Sequence, residues 1–290
     1  MIGKRSRWCA NGTGDRDLDR YFCTLAIDSG DLSTETLAIT FNNRGITYNE
    51  KGDYDRAIED YDRAIRLDSD FALAFNNRGI AYRHKGQYDR AITDYDEAIR
   101  LKPDLAEPFN NRGLAYAAKG EYDRVIADYD QAIRLDSTDL DYFNNRGYAK
   151  IYLGRFAAAV PDLARVVEND PDSAYGVIWF YLAEARAGQG GFGELEANAG
   201  HLDLNEWPGP VISMYLGSTD AEAVAAMGAA SATKAEREKR CEAMFYVGEY
   251  YLLSGDRRKA AEFFRAAVAT EVTYFIEYTG AKAELARLGS

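Results

Sequence analysis

The sequence has few of the residues that perform chemistry. Among 290 residues there are two histidines, three cysteines and six prolines. His84 and His201 lie far apart and neither belongs to a partnering motif, so no nucleophile–base pair or metal-ligand cluster is visible. Cys9, Cys23 and Cys241 are too few for a disulfide scaffold and match no zinc spacing. No run is long and apolar enough to cross a bilayer. Positive charge is in deficit: 35 Lys and Arg stand against 47 Asp and Glu, a net −12. An acidic chain repels phosphates and anionic lipid, which argues against nucleic acid as a partner. The expectation is a protein with no catalytic residues, no cofactor and no metal.

Three weaker signals have bland readings. Lys4, Arg5 and Arg7 have the charge of a signal-peptide start, but Trp8 leads directly into a polar stretch. Both a cytoplasmic chain and an exported one whose signal is not seen stay open. Gly188-Gln189-Gly190-Gly191-Phe192-Gly193 has the look of a nucleotide loop, but a helical context makes it a turn. Asp15, Asp17 and Asp19 hint at a calcium loop, yet Arg20 stands where that loop needs Gly and Ala26 where it needs Glu. They read as solvated, helix-starting acids.

What is present is a repeat. Phe-Asn-Asn-Arg-Gly opens at Phe41, Phe75, Phe109 and Phe143, each step being 34 residues. Ala57 and Ala91, Tyr61, Tyr95 and Tyr129, and Ala64, Ala98 and Ala132 follow in register. Each unit reads as two helices around a Gly-centred turn such as Lys51-Gly52-Asp53-Tyr54, glycine accepting the left-handed conformation cheaply. The second helix carries Ala57, Ile58, Tyr61, Ala64 and Ile65 at helical spacing. Such a 34-residue helix pair resembles the tetratricopeptide repeat. The resemblance implies an all-α, right-handed superhelix of antiparallel helix pairs, a solenoid that binds proteins or peptides.

Four tandem units are expected at 38–71, 72–105, 106–139 and 140–173, after an N-terminal segment, 1–37, with a degenerate capping helix. The fourth unit is worn, Lys150 replacing a Tyr and Leu163 another. An irregular helical insert is expected over 174–240, and a last repeat with a closing helix over 241–290. Trp179 to Glu184, Met214 to Gly217, Phe245 to Leu252, Ala267-Val268-Ala269 and Phe275-Ile276-Glu277 resemble the C-terminal half of the NlpI family of bacterial envelope lipoproteins. That resemblance implies a periplasmic, dimeric adaptor for envelope proteases or cell-wall enzymes. The chain departs from that family in showing no lipid-attachment signal.

In tetratricopeptide proteins the first helix of each pair lines the concave groove. On that footing Asn42 and Asn43, Asn76 and Asn77, Asn110 and Asn111, and Asn144 and Asn145 form a ladder of amides able to bind an extended peptide backbone. Ile46, Ile80 and Leu114 lie a turn further on as apolar patches, with Arg83 the nearby cation. The competing reading is that some amides bind neighbouring repeats. Alanine at Asn43, Asn77 and Asn111 is expected to weaken partner binding with little change in melting. Arg44, Arg78, Arg112 and Arg146 read as structural, paired with acids such as Asp60, Asp94 and Asp128. Cys9 and Cys23 either bridge in an oxidising compartment or are unrelated small side chains. A binding adaptor leads; the alternative is a self-assembling structural scaffold.

Overall fold

The computed structural model describes Cys9 and residues 14–228 and 233–289, and among them every regular element is helical. The chain forms two compact units, residues 1–138 and 139–290.

The first unit opens with α1 (Arg16–Asp28), capped by Asp15, whose carboxylate accepts from the Asp17 and Leu18 amides. Three helix pairs follow: α2 (Thr34–Glu50) with α3 (Tyr54–Leu67), α4 (Ala72–His84) with α5 (Tyr88–Leu101), and α6 (Ala106–Lys119) with α7 (Tyr122–Leu135). Between the helices of each pair Gly52, Gly86 and Gly120 turn the chain at φ +77°, +70° and +75°, a conformation that L side chains rarely adopt. The second helices bury one stripe, such as Ala57, Asp60, Tyr61 and Ala64 of α3, at steps of three and four residues.

Glycine and tyrosine interlock within each pair. A Cβ at Gly45 would stand 2.6 Å from the Tyr61 ring, and one at Gly79 2.6 Å from the Tyr95 ring. The rings occupy the space that the missing side chains leave, and both are fully buried. The first helices touch from repeat to repeat, α2 against α4 and α4 against α6. That close approach puts them on the inside of the stack.

The second unit contains α8 (Leu140–Tyr152), α9 (Phe156–Asn169), α10 (Ala174–Ala187), three short helices, α11 (Phe192–Ala199), α12 (Gly209–Tyr215) and α13 (Ala221–Met227), then α14 (Lys234–Leu253), α15 (Arg257–Val268) and α16 (Ile276–Leu288). The turn expected over Gly188–Gly193 spans only 188–191, where Gly188 ends α10 and Gly191 precedes α11; Phe192 and Gly193 already belong to α11. The core centres on Trp179, whose ring lies 5.0 Å from that of Tyr148, 5.3 Å from Phe245 and 6.2 Å from Tyr246. The closing helix does more than cover an end. It packs on α8, where the Tyr152 hydroxyl donates to the Ile276 carbonyl at 3.1 Å and Arg287 donates to the Tyr152 carbonyl at 3.0 Å.

Candidate functional site

The Phe-Asn-Asn-Arg-Gly motif sits mid-way along each first helix, and its parts divide the labour. The arginine faces the second helix of its own pair. Arg44 forks onto Asp60 at 2.7 and 2.8 Å, Arg78 onto Asp94 at 2.9 and 2.7 Å, and Arg112 onto Asp128 at 3.0 and 2.6 Å. Two of them also reach back to the preceding repeat, Arg78 to Asp62 at 2.7 Å and Arg112 to Asp96. Burial works against the charge on Arg78, but the bonds and charges of Asp94 and Asp62 outweigh it and hold the guanidinium above its ordinary pKa. The expected structural pairing of these arginines is present, and it binds successive repeats as well as the helices of one pair. In the second unit Arg146 forks onto Asp162 at 2.9 and 2.6 Å. There the odd Lys150 donates to the same carboxylate at 2.7 Å, so the departure from the repeat supplies a second cation to a buried acid.

The asparagines make a directional relay through the first unit. Asn111 Nδ2 donates to Asn76 at 2.9 Å, Asn76 to Asn77 at 3.4 Å, Asn77 to Asn42 at 3.0 Å, and Asn42 to Asn43 at 3.3 Å. Asn43 Nδ2 then donates to the main-chain carbonyl of Cys9 at 3.2 Å. The rungs therefore zigzag between both asparagines of the first two motifs, with Asn111 of the third at the donor end, instead of stacking one position on its copy. Asn42, Asn76 and Asn111 are buried, while Asn43, Asn77 and Asn110 are half-buried. Most of these amides bond one another, which is the competing reading of the sequence, and a chain of such bonds strengthens its members. Alanine in the relay thus removes repeat-to-repeat bonds, and the expectation of unchanged melting does not survive this geometry.

Cys9 and Cys23 are joined by a disulfide, with their Cα atoms 4.9 Å apart. The bridge holds the carbonyl of Cys9 at the end of the relay.

Around the relay lies an apolar border. Ile46, Ile80 and Leu114 are half-buried one turn beyond it. Ile39 and Leu73, which the sequence reading passed over, stand one turn before it and are 39% and 46% exposed. The signal was available: residues 39, 43 and 46, and 73, 77 and 80, share one helix face at steps of four and three. Arg83 follows Asn76 and Ile80 on that face and is half-buried. Beside it His84 stacks on Tyr54 with ring centres 5.2 Å apart, and burial together with Arg83 holds its pKa below the usual imidazole value.

Asn144 and Asn145 belong to the second unit and are half-buried. The next turn of their helix is filled by the unit's own core. Tyr148, in register with Ile46, Ile80 and Leu114, is 8% exposed and packs on Trp179, and Ile151 is 5% exposed. The first unit leaves this face open to solvent; the second closes its own.

Family models describe the same periodicity. One for the TPR repeat matches residues 45–83 and 81–120, and two for the tetratricopeptide repeat match 106–139 and 144–203. The last match runs into the segment that the sequence reading treats as an insert. Among solved structures, a tetratricopeptide repeat protein from Parabacteroides merdae is similar over 98% of this chain and 97% of its own, at 13% identity and a TM-score of 0.56. MamA is similar over 59% of this chain and 95% of its own, at 25% identity and a TM-score of 0.51. YrrB, described as a TPR protein with an unusual peptide-binding site, covers 78% of this chain and 99% of its own at 19% identity, with a TM-score of 0.47. With matched repeats spanning more than half of its length and helix pairs in the same register, this chain belongs to the tetratricopeptide-repeat family.

Proposed function

We propose that the first unit is a protein-interaction surface that takes an extended segment of a partner along α2, α4 and α6. The observation that carries this reading is the bond from Asn43 to the Cys9 carbonyl. One rung of the relay already holds a main-chain carbonyl from a remote part of the chain, the contact an extended partner would offer. Backbone binding of this kind tolerates many sequences, and Ile39, Leu73 and their half-buried neighbours add apolar contact beside it. A pre-built repeat array presents that surface with little ordering cost.

The finer reading is an NlpI-like envelope adaptor that brings proteases or cell-wall enzymes to their substrates. It is supported by the C-terminal sequence resemblance and by the Cys9–Cys23 bridge, since disulfides persist in oxidising compartments.

The test is a pull-down from an envelope extract of the source organism with wild type and an Ile39→Glu/Leu73→Glu variant. Both residues are exposed, so the variant keeps its fold and melts as wild type does. Recovery of a protease or cell-wall hydrolase by wild type alone supports both readings. Equal recovery by the two proteins moves the site off this face. Recovery of the chain itself and nothing else favours a self-assembling scaffold.

A further inference from the structure

Of the four helices that carry the motif, α8 is the one whose face already has an occupant. Asn145, Tyr148 and Tyr152 continue in α8 the line that Asn43, Ile46 and Glu50 make in α2. There α16, the closing helix, packs on α8 and receives the Tyr152 hydroxyl on its Ile276 carbonyl. The seat is close because the residues at its centre are small. A Cβ at Gly280 would stand 2.7 Å from the Phe245 ring, and Ala281 is fully buried. Two such residues bring little apolar area, so the polar contacts on either side of them weigh heavily in holding the helix.

Those contacts are two buried acids of α16, and they are satisfied differently. Glu284 is 2% exposed and is gripped by Arg186 of α10 at 3.0 Å and by Arg287 of its own helix. Glu249 of α14 shares Arg186 at 2.6 Å, so two acids meet two guanidiniums. Glu277 is 3% exposed and has no ion pair among the described residues; its carboxyl accepts from the Tyr246 hydroxyl at 2.7 Å. The groups that face it are neutral or acidic: Cys241, Glu242 and Tyr246 from α14, Tyr148 from α8, and Tyr175 and Trp179 from α10. The buried face of α15, Ala260, Ala261, Phe264 and Ala267, carries no charge. A carboxylate formed at Glu277 is thus a buried charge with no counter-ion, which is costly to keep out of water.

We propose that α16 is an in-built cover on the groove face of α8, held shut by neutral Glu277 and released when that carboxyl gives up its proton. Release bares Ile151, Tyr152 and the Phe245 ring, while Arg186 keeps its hold on Glu284 and makes that end the pivot. Burial pushes the Glu277 pKa up to about 7 in the closed form, the Tyr246 bond opposing the rise and Glu242 adding to it. On a lifted α16 the same carboxyl is solvated and titrates near 4.3, the ordinary value for Glu. The closed form therefore holds the proton more tightly. The cover is firmest below about 4.3, loosens as pH rises, and reaches its loosest state once pH passes about 7. The device belongs to the second unit and works with or without a partner on the first.

Hydrogen–deuterium exchange of the full chain between pH 4.5 and 8 tests this. Glu277→Gln is measured beside wild type at each pH, so that the intrinsic pH dependence of exchange cancels. The two proteins should exchange α16 alike at the acid end. From there the wild-type rate should outrun that of the variant by about tenfold per pH unit, levelling off above about pH 7. The helices of the first unit, and α10 in the second, should exchange alike in both proteins throughout. Should the variant fold poorly, wild type decides alone: the ratio of α16 exchange to α10 exchange should climb over the same window. An α16 rate that stays equal in the two proteins overturns the inference. So does a rise in α10 together with α16, which is loosening of the whole unit and not the lifting of a cover. A climb in the α16-to-α10 ratio that persists in Glu277→Gln assigns the release to another acid and also overturns it.

Discussion

At the residue scale the fold rests on contacts between a missing side chain and a large one. Gly45 and Gly79 have no room for a methyl group because Tyr61 and Tyr95 lie 2.6 Å from where it would be. Gly113 is looser, since the Tyr129 ring stands 3.2 Å away. Gly79→Ala must displace the fully buried Tyr95 ring and should cost about 1–3 kcal/mol. Gly113→Ala should cost less, because a shift of a few tenths of an ångström suffices and alanine favours helix over glycine by about 1 kcal/mol. Urea melts of the two variants check the order. Equal losses would show that the stack relaxes freely around its tyrosines. This pairing was legible in the sequence, because Gly and Tyr recur 16 residues apart in successive units.

At the element scale, first helices are joined by amides and helix pairs by charge. The relay runs in one direction from Asn111 to Asn43, so its members are not equivalent. Asn111→Ala removes the donor to the side-chain Oδ1 of Asn76 at a buried site, leaving it unmet, and should lower stability by roughly 1–3 kcal/mol. Asn43→Ala loses the bond to Cys9 and also the acceptor of the buried Asn42 Nδ2, and should cost about as much, roughly 1–3 kcal/mol. Chemical denaturation of both, set beside partner binding, separates the two roles of the ladder. A binding loss in Asn43→Ala that exceeds the loss in a comparably destabilised Asn111→Ala fits the proposed function; no binding loss in either variant would confine the asparagines to holding repeats together. That these residues face one way followed from their spacing. That they bond each other, and in zigzag, depended on the offset between neighbouring helices, which periodicity does not encode.

At the scale of the whole molecule the two units make different use of the same motif. The first leaves the face of its first helices open; the second fills the matching face of α8 with Trp179 and covers the helix with α16. That closure buries acids. Glu277 accepts from the Tyr246 hydroxyl at 2.7 Å, and burial pushes its pKa up to about 7, with Glu242 adding to the rise and the tyrosine bond opposing it. The unfolded value is about 4.3, so the folded state holds the proton more tightly across the window between the two. The stabilising contribution is whole below the unfolded value and is lost as pH rises through the folded one. Glu277→Gln mimics the neutral acid and keeps an acceptor for Tyr246. Its melting temperature relative to wild type should therefore rise between pH 4.5 and pH 8, by an amount equivalent to a few kcal/mol. Parallel melting curves across that range would mean that Glu277 is ionised in the fold throughout.

The sequence by itself determined the helix pairs, their 34-residue register, the glycine turns and the Arg–Asp partners, since all of these are local or repeat at a constant separation. It also carried the identity of the face on which Asn43, Asn77 and Arg83 lie, because helical spacing assigns faces without reference to neighbours. Only the tertiary structure decided which amides bond to which, that the Cys9 carbonyl ends their relay, and that α16 returns to α8 across 124 residues of chain. Those outcomes depend on distances between elements remote in sequence. A pattern of residue types specifies what each surface prefers to touch, and the packed backbone specifies what comes within reach.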